Sequence, residues 1–327
     1  MKFTRRALLG TAAVCLSAGT APFASAQGSA WPARPIRLIS PYGAGGASDI
    51  SARILAEYLG KKLGQQIVVE NKPGAGTRLA NEFAARAPGD GYTILYAAAP
   101  YATAEALYGR QNFDTRKDLQ PVALVAMAPL FLIVNAQSGI KTAQELIAHS
   151  KTKPSGLNIA SPGAGSQPNL AAELFLRDGG ARGVVIHYRG DAPAYAELLA
   201  GRVDATLTAI TTALPHIQAG KLRVLGVAAT QRSALYPDAP TLREQGFPNV
   251  VASGWYGFMV PGTTPPAIVE RLQLTTIRAL ADPEVKQKFL AQGLEPNSKT
   301  SAEFRKFIDD EGRKWGELIA KAGIKGE

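Results

Sequence analysis

The 327-residue sequence contains a single cysteine, Cys15, and it lies in a short apolar stretch near the amino terminus. A chain without a second cysteine forms no internal disulfide and offers no thiolate cluster for a metal. Only three histidines are present, His149, His187 and His216, and they are far apart in sequence. These absences argue against a metal site and a catalytic triad, so we expect no metal and no cofactor.

Catalytic and nucleotide-binding motifs are also missing. The sequence has no G-x-S-x-G elbow, no H-E-x-x-H helix and no P-loop. The glycine-rich turn Gly43-Ala44-Gly45-Gly46 lacks the G-x-G-x-x-G spacing of a dinucleotide site. We therefore expect a protein that is not an enzyme. An exported hydrolase acting on an anionic substrate is the alternative, with Ser161, Ser166 and His187 as its loose candidates for nucleophile and base.

Clustered positive charge and long apolar runs are missing as well. The formal net charge is +10, but the basic residues are scattered and not interleaved with aromatic residues, which argues against nucleic acid as a partner. The apolar stretch Val122 to Val134 is too short for a membrane span and predicts a buried strand.

The first 26 residues have the composition of an export signal. They contain the pair Arg5-Arg6, a short apolar stretch and the cleavage pattern Ala24-Ser25-Ala26. We predict a signal peptide over residues 1–26, cleavage near Ala26 and a periplasmic protein. The arginine pair leaves open whether export uses the general secretory or the twin-arginine pathway.

The rest of the chain alternates between short apolar strands and amphipathic helices. Ile36 to Leu59 predicts a buried strand, a glycine-rich turn and a helix, and Leu157 to Phe175 repeats this order. The alternation predicts an α/β fold with doubly wound sheets flanked by helices. If the two turns face each other across a cleft, they could hold a carboxylate between backbone N–H groups, Ser48 and Ser166.

Motifs spread over nearly the whole chain point to one family. They are Trp31-Pro32-x-x-Pro35-Ile36, Pro41-Tyr42-x-x-Gly45-Gly46-x-x-Asp49, Val69-Glu70-Asn71-Lys72-Pro73-Gly74-Ala75-Gly76, Gly163-x-Gly165-Ser166, Tyr188-Arg189-Gly190 and Gly201-Arg202-Val203-Asp204. Together they resemble the Bug family, the extracytoplasmic solute receptors of tripartite tricarboxylate transporters. The resemblance implies a two-domain periplasmic binding protein of the type II, or Venus flytrap, fold. It also implies capture of a small organic carboxylate between the domains and delivery to membrane transporter subunits.

The resemblance further implies a domain division and a set of site residues. Domain 1 is expected to comprise residues 27–129 and 231–327, domain 2 residues 130–230, and the receptor is expected to be a monomer. The implied ligand loops are residues 42–49 and 161–166. The candidate ligand-binding residues are Tyr42, Gly45, Gly46, Ala47, Ser48, Asp49, Ala98, Ala99, Ser161, Gly163, Ala164, Gly165, Ser166, Asn169, His187, Tyr188 and Thr208.

Four positions around the predicted cleft depart from the family pattern. Gly43-Ala44 stands where proline-rich residues are usual, Asn169 where histidine is frequent, and His187 where proline is common. Thr208 stands where aspartate is frequent, and the loss of that acid weakens the case for an amino-acid ligand. The ligand therefore cannot be transferred from a relative, and a role in sensing instead of transport stays open.

Three residues of the predicted site have two interpretations each. Asp49, near the start of a helix, stabilises the helix dipole or meets the ligand; because an acid repels a carboxylate, the structural role is favoured. Tyr42 and Tyr101 are either wall residues or stacking partners for an aromatic acid, so aromatic and aliphatic carboxylates both remain candidates.

Overall fold

The computed structural model describes residues 31–326, so the predicted signal peptide, Cys15 and the cleavage site lie outside the described residues. The described part contains ten strands: β1 (Ile36–Ser40), β2 (Ile67–Asn71), β3 (Thr93–Ala98), β4 (Leu119–Asn135), β5 (Leu157–Ser161), β6 (Gly183–His187), β7 (Ala205–Ala209), β8 (Leu222–Val227), β9 (Ser253–Pro261) and β10 (Glu295–Lys299). Its ten α-helices are α1 (Ala47–Leu63), α2 (Arg78–Ala85), α3 (Pro100–Tyr108), α4 (Ala143–Thr152), α5 (Gln167–Asp178), α6 (Asp191–Leu199), α7 (Leu214–Gln218), α8 (Pro266–Ala281), α9 (Pro283–Ala291) and α10 (Ser301–Ala322). None of these helices is both long and apolar enough to cross a membrane.

All ten strands belong to one continuous sheet. Its order is β2-β1-β3-β9-β4-β7-β5-β6, with β10 and β8 also paired to β4. Strand β4 holds the sheet together, because its first part, through Pro129, pairs with β9, and its last part, from Leu130, pairs with β7 and β8. We call the strands on the β9 side the first lobe and those on the β7 side the second lobe.

Side chains on β4 alternate between two apolar layers, as the two-residue period of a strand requires. In the second lobe, Leu130 and Leu132 face a layer that includes α4 and α5, while Phe131 and Ile133 face the layer that includes α6. The first lobe has the same plan, with α1, α8 and α9 on one face of its strands and α2 and α3 on the other. Each lobe is thus a sheet covered by helices on both faces, which confirms the predicted α/β class.

Helix α10 is 22 residues long and contributes to the cores of both lobes. Phe304 and Ile308 pack with first-lobe residues, whereas Trp315, Leu318 and Ile319 pack with second-lobe residues. A capping box formed by Thr300 and Glu303 starts the helix. The division into domains of residues 27–129 with 231–327 and 130–230 stays a prediction.

The strand directions bring the carboxyl edges of the two lobes together. Strand β3 ends at Ala98, which pairs with Tyr256, and Tyr256 pairs in turn with Ala126 of β4. From the other lobe, β7 runs in the opposite direction and ends at Ala209, which pairs with Leu130 of β4. The carboxyl ends of β3 and β7 therefore meet over the middle of β4. Open α/β sheets bind ligands beyond the carboxyl ends of their strands, so a ligand site is expected at this junction.

Candidate functional site

The first loop connects β1 to α1 at this junction. Gly45 has a φ of 87°, in the left-handed region that side-chain residues rarely adopt, and its amide donates to Asp49 Oδ2 at 3.1 Å. A Cβ added at Gly43, Gly45 or Gly46 would meet no atom within 4 Å, so these residues border open space. The loop is therefore held from inside by a side chain of its own helix while its outer surface stays accessible.

Asp49 is the centre of a hydrogen-bond network that fixes this loop. Arg53 donates to both of its carboxylate oxygens at 3.0 Å, and Asn71 Nδ2 donates to Oδ1 at 2.9 Å and to the Tyr42 carbonyl at 2.9 Å. The Arg53 hydrogen bonds, with help from the Gly45 amide and Asn71, lower the pKa of Asp49 to about 2. The carboxylate is thus charged and saturated with donors from the protein, which supports its structural interpretation.

Several polar groups at the start of α1 have no partner among residues 31–326. The amides of Gly46, Ala47 and Ser48 donate to no acceptor there. The Oγ atoms of Ser48, 4 % exposed, and of Ser40, fully buried at the end of β1, also lack a hydrogen-bond partner. Unpaired buried hydroxyls are costly, so such groups call for a ligand or an ordered water. Together with the helix dipole, these donors suit an anion.

The second loop connects β5 to α5 and repeats the design of the first. Gly165 has a φ of 67°, and its amide donates to Asn169 Oδ1 at 2.9 Å. Ser166 caps α5 by accepting from the Asn169 amide, and its own hydroxyl donates to the Gly163 carbonyl at 2.6 Å. A Cβ at Gly163 would meet open space. The amide of Ala164, between these residues, donates to no acceptor in the described part of the chain.

Further candidates lie on the walls beside the loops. Ala98 is buried at the end of β3, and the Ala99 amide donates to the Trp255 carbonyl at 3.1 Å. Tyr42 has 37 % of its surface exposed, but burial of its hydroxyl near Tyr256 raises its pKa. Burial also raises the pKa of Tyr256 to about 12. Both tyrosines are therefore neutral hydrogen-bond donors at physiological pH.

In the second lobe, three candidate ligand-binding residues and one acid lie at the carboxyl edge of the sheet. His187 ends β6 and is exposed, and the Tyr188 amide donates to the Ser161 carbonyl at 2.8 Å. Thr208 is 3 % exposed, and its hydroxyl donates to Asp191 Oδ1 at 2.8 Å. The edge therefore does carry an acid, although Thr208 itself is neutral, and this acid comes from the first turn of α6.

The geometry gives no support to the hydrolase alternative. Ser161 Oγ donates to the Gly163 carbonyl at 3.1 Å, so both loop serines are engaged with that carbonyl. Within residues 31–326, His187 forms no hydrogen bond with Ser161 or Ser166. A nucleophile needs a base within hydrogen-bonding reach, and the described part of the chain shows no such contact between His187 and either loop serine. No group of three or more potential metal ligands comes together in the same part of the chain.

The structure favours one of the two interpretations of Tyr101 and adds three contributing residues that the sequence did not indicate. Tyr101 is 4 % exposed and donates from its hydroxyl to the Thr115 carbonyl, which favours its interpretation as a wall residue over that as a stacking partner for an aromatic acid. Arg53, Asn71 and Asp191 were missed as contributors. The spacing of Asp49 and Arg53, four residues apart on one helix, could have predicted their ion pair. No sequence signal could have predicted the contact of Thr208 with Asp191, because it arises only from the fold.

Comparison with known proteins assigns the chain to a family. The family model described as "Tripartite tricarboxylate transporter family receptor" matches residues 51–324. Protein BugT of Bordetella pertussis is 37 % identical over 297 residues, which is 90 % of this chain and 91 % of the relative. The members of this family are solute receptors, not enzymes.

Solved structures are similar over almost the whole described chain. The periplasmic binding protein BugD is 30 % identical with a TM-score of 0.74, and the match covers 91 % of this chain and 100 % of that one. An R. palustris protein solved with adipate is 28 % identical with a TM-score of 0.77, at 91 % and 100 % coverage. MatC from Rhodopseudomonas palustris, solved with malate, is 29 % identical with a TM-score of 0.72, at 88 % and 99 % coverage. The fold is thus the two-domain type II periplasmic binding fold, and the chain belongs to the family of tripartite tricarboxylate transporter receptors, as its motifs predict.

Proposed function

We propose that this protein is a periplasmic receptor that binds a small organic carboxylate between its first and second loops and delivers it to the membrane subunits of a tripartite transporter. The observation that carries the proposal is the pair of loops, each at the start of a long helix, at the edge where the two lobes meet. Solved relatives that hold adipate and malate support the carboxylate class.

The chemistry of the first loop fits a carboxylate without a free arginine. Backbone amides and the positive end of a helix dipole provide several partial positive charges, while the guanidinium of Arg53 in the first loop's network is already neutralised by Asp49. The unpaired Ser48 hydroxyl adds one more donor at the same place. Because backbone donors recognise the carboxylate and not the rest of the ligand, the side chains of the walls are left to select among carboxylates.

The candidate residues divide into three proposed roles. Backbone donors come from the two loops, the walls come from the ends of β3 and β6, and Asp49 and Asn169 hold the loops in shape. Closure of the lobes over the ligand is expected for this fold. On the first-lobe side, the hydroxyl of Tyr42 is the candidate hydrogen-bond donor to the ligand, whether the ligand is aromatic or aliphatic.

A carboxylate panel tests the proposal directly. The protein lacking residues 1–26 is screened by thermal shift against mono-, di- and tricarboxylates, both aliphatic and aromatic, and hits are measured by calorimetry. We expect at least one carboxylate to raise the melting temperature in a concentration-dependent way, because a ligand that binds only the folded state stabilises it. Stabilisation by no carboxylate would overturn the proposed function. Mass determination of the protein isolated from the periplasm tests export and cleavage near Ala26.

A further inference from the structure

We propose that Asp191 makes this receptor selective for carboxylates that also carry a hydrogen-bond donor, an alcohol or an ammonium group. This inference rests on the proposed function and specifies its ligand class. The acid lies in the first turn of α6, directly after the segment that borders the second loop. The proposed binding of the ligand's carboxylate by the two loops does not need this acid.

The position of Asp191 follows from two backbone contacts. The Tyr188 amide donates to the Ser161 carbonyl at 2.8 Å, and the Gly190 amide donates to the Pro162 carbonyl at 3.0 Å. The segment that leads into α6 is therefore tied to the second loop. Thr208, at the end of β7, approaches from the other side, so Asp191 is held between two of the three parallel strand ends of this lobe.

Among residues 31–326, only one of the two carboxylate oxygens of Asp191 accepts a hydrogen bond. Oδ1 accepts the Thr208 hydroxyl at 2.8 Å, whereas Oδ2 has no hydrogen-bond partner and no salt bridge among residues 31–326. A carboxylate that is held in place and has one oxygen without a partner accepts a hydrogen bond well from a donor on a ligand. It repels a further carboxylate on that ligand strongly. The residue also sits at a helix start, where an acid is favourable by itself, so the test must separate selectivity from stability.

The opposite loop offers a contrasting environment. Its acid, Asp49, accepts hydrogen bonds from Gly45, Arg53 and Asn71, so both of its oxygens already have partners. The first loop therefore presents mainly donors, and the second-lobe edge presents an acceptor beside its loop. A ligand with a carboxylate at one end and a hydroxyl or ammonium group towards the other matches this polarity, while a plain dicarboxylate meets repulsion at Asp191.

Matched ligand sets provide the test. Each set keeps one carbon skeleton and adds a hydrogen-bond donor at one position: succinate, malate and aspartate; benzoate, 4-hydroxybenzoate and 4-aminobenzoate; butyrate, 4-hydroxybutyrate and 4-aminobutyrate. Affinities are measured by calorimetry for the wild type, Asp191→Asn and the control Glu270→Gln. Glu270 is exposed on α8 of the first lobe, so the control removes one negative charge away from the site.

We expect a donor-bearing member to bind the wild type about ten- to a hundredfold more tightly than its plain counterpart in any set that binds, as for a hydrogen bond to a charged group. Asp191→Asn should bring this ratio close to one, and Glu270→Gln should leave it unchanged. Thr208→Val, which removes the hydroxyl that positions the acid, should reduce the ratio partly.

Different results would contradict the selectivity of Asp191 and the proposed function. A ratio near one in the wild type, or a ratio that Asp191→Asn does not change, overturns the selectivity role even if Asp191→Asn lowers the melting temperature. If no carboxylate of any kind binds, the proposed function fails first, and the inference falls with it.

Discussion

The Gly165 amide donates to Asn169 Oδ1 at 2.9 Å, so Asn169 holds the loop that precedes its own helix. The same relationship joins Gly45 to Asp49 in the first lobe, again over four residues and again with the glycine at positive φ. The two ligand loops are thus built alike, but one is held by a neutral amide and the other by an ionised acid. Mutating the two holding residues therefore tests the shared design.

Asn169→Ala should destabilise the protein by about 1–3 kcal/mol, because it leaves the Gly165 amide without its acceptor in a buried place. It should also weaken carboxylate binding, since the second loop is no longer preorganised. Urea denaturation and calorimetry measure the two effects. The control is Asn249→Ala, which removes an exposed asparagine bonded to Asp178 and should change stability by no more than about 0.5 kcal/mol. Equal effects of the two substitutions would refute the loop-holding role.

Asp49→Ala should lower carboxylate affinity about tenfold by loosening the first loop, because both oxygens of this acid accept hydrogen bonds from the protein groups that hold the loop. Arg53→Gln removes only the charged partner and leaves the Gly45 and Asn71 hydrogen bonds in place, so its effect should be smaller. Calorimetry with one bound carboxylate ranks the three proteins. An affinity that Asp49→Ala leaves unchanged would show that the loop does not need this acid.

The charge of Asp49 predicts a pH dependence of stability. Its pKa falls from 3.8 to about 2 on folding, mainly through the Arg53 hydrogen bonds, so the folded state favours the ionised form. This stabilisation is present above pH 4 and is lost as the pH falls through the folded-state value of about 2. We expect about 1–2 kcal/mol at pH 7, since Arg53 is half exposed and solvent screens part of the interaction.

Denaturation of the wild type and Asp49→Asn at pH 7, 4, 3 and 2 measures this contribution. The two stability curves should lie apart at pH 7 and converge between pH 4 and pH 2. A constant separation over that range would mean that the stability difference does not come from the ionisation of Asp49.

Sequence patterns predicted the elements that have an apolar period and missed those that depend on tertiary contacts. The strand–turn–helix units at Ile36 and Leu157 were found because buried strands and glycine turns leave a local signal. Strand β10, with the polar sequence EPNSK, was missed because it forms only by pairing with β4. The sequence left both interpretations of Tyr101 open because a single aromatic residue on a helix does not show which side it faces.

The residues of the candidate site were likewise predictable only where they leave a local sequence signal. The loops were identified from glycines and helix starts, whereas the bond between Thr208 and Asp191 joins residues from different elements, 17 positions apart. Substitution of an expected acid by Thr208 suggested a loss of charge, and the fold instead brings a carboxylate from α6 to the same edge. A single sequence carries no record of such a pairing in space.

The unpaired Ser48 hydroxyl gives the most direct test of the first loop. Its Oγ is buried at the start of α1 and has no partner among the described residues, so it destabilises the empty protein and is available to a ligand. Ser48→Ala should therefore leave the unliganded protein equally stable or up to about 1 kcal/mol more stable. The same substitution should weaken carboxylate binding about tenfold, because one donor to a charged group is lost.

Ser150→Ala is the matched control for this experiment. Ser150 is also fully buried, but its hydroxyl donates to the Ile147 carbonyl at 2.6 Å within α4 of the second lobe. Its replacement should cost about 1 kcal/mol of stability and leave the affinity unchanged. Thermal melts without ligand and calorimetry with it separate the two effects. If Ser48→Ala behaves like Ser150→Ala, with lower stability and unaltered affinity, the hydroxyl of Ser48 is structural and does not bind the carboxylate.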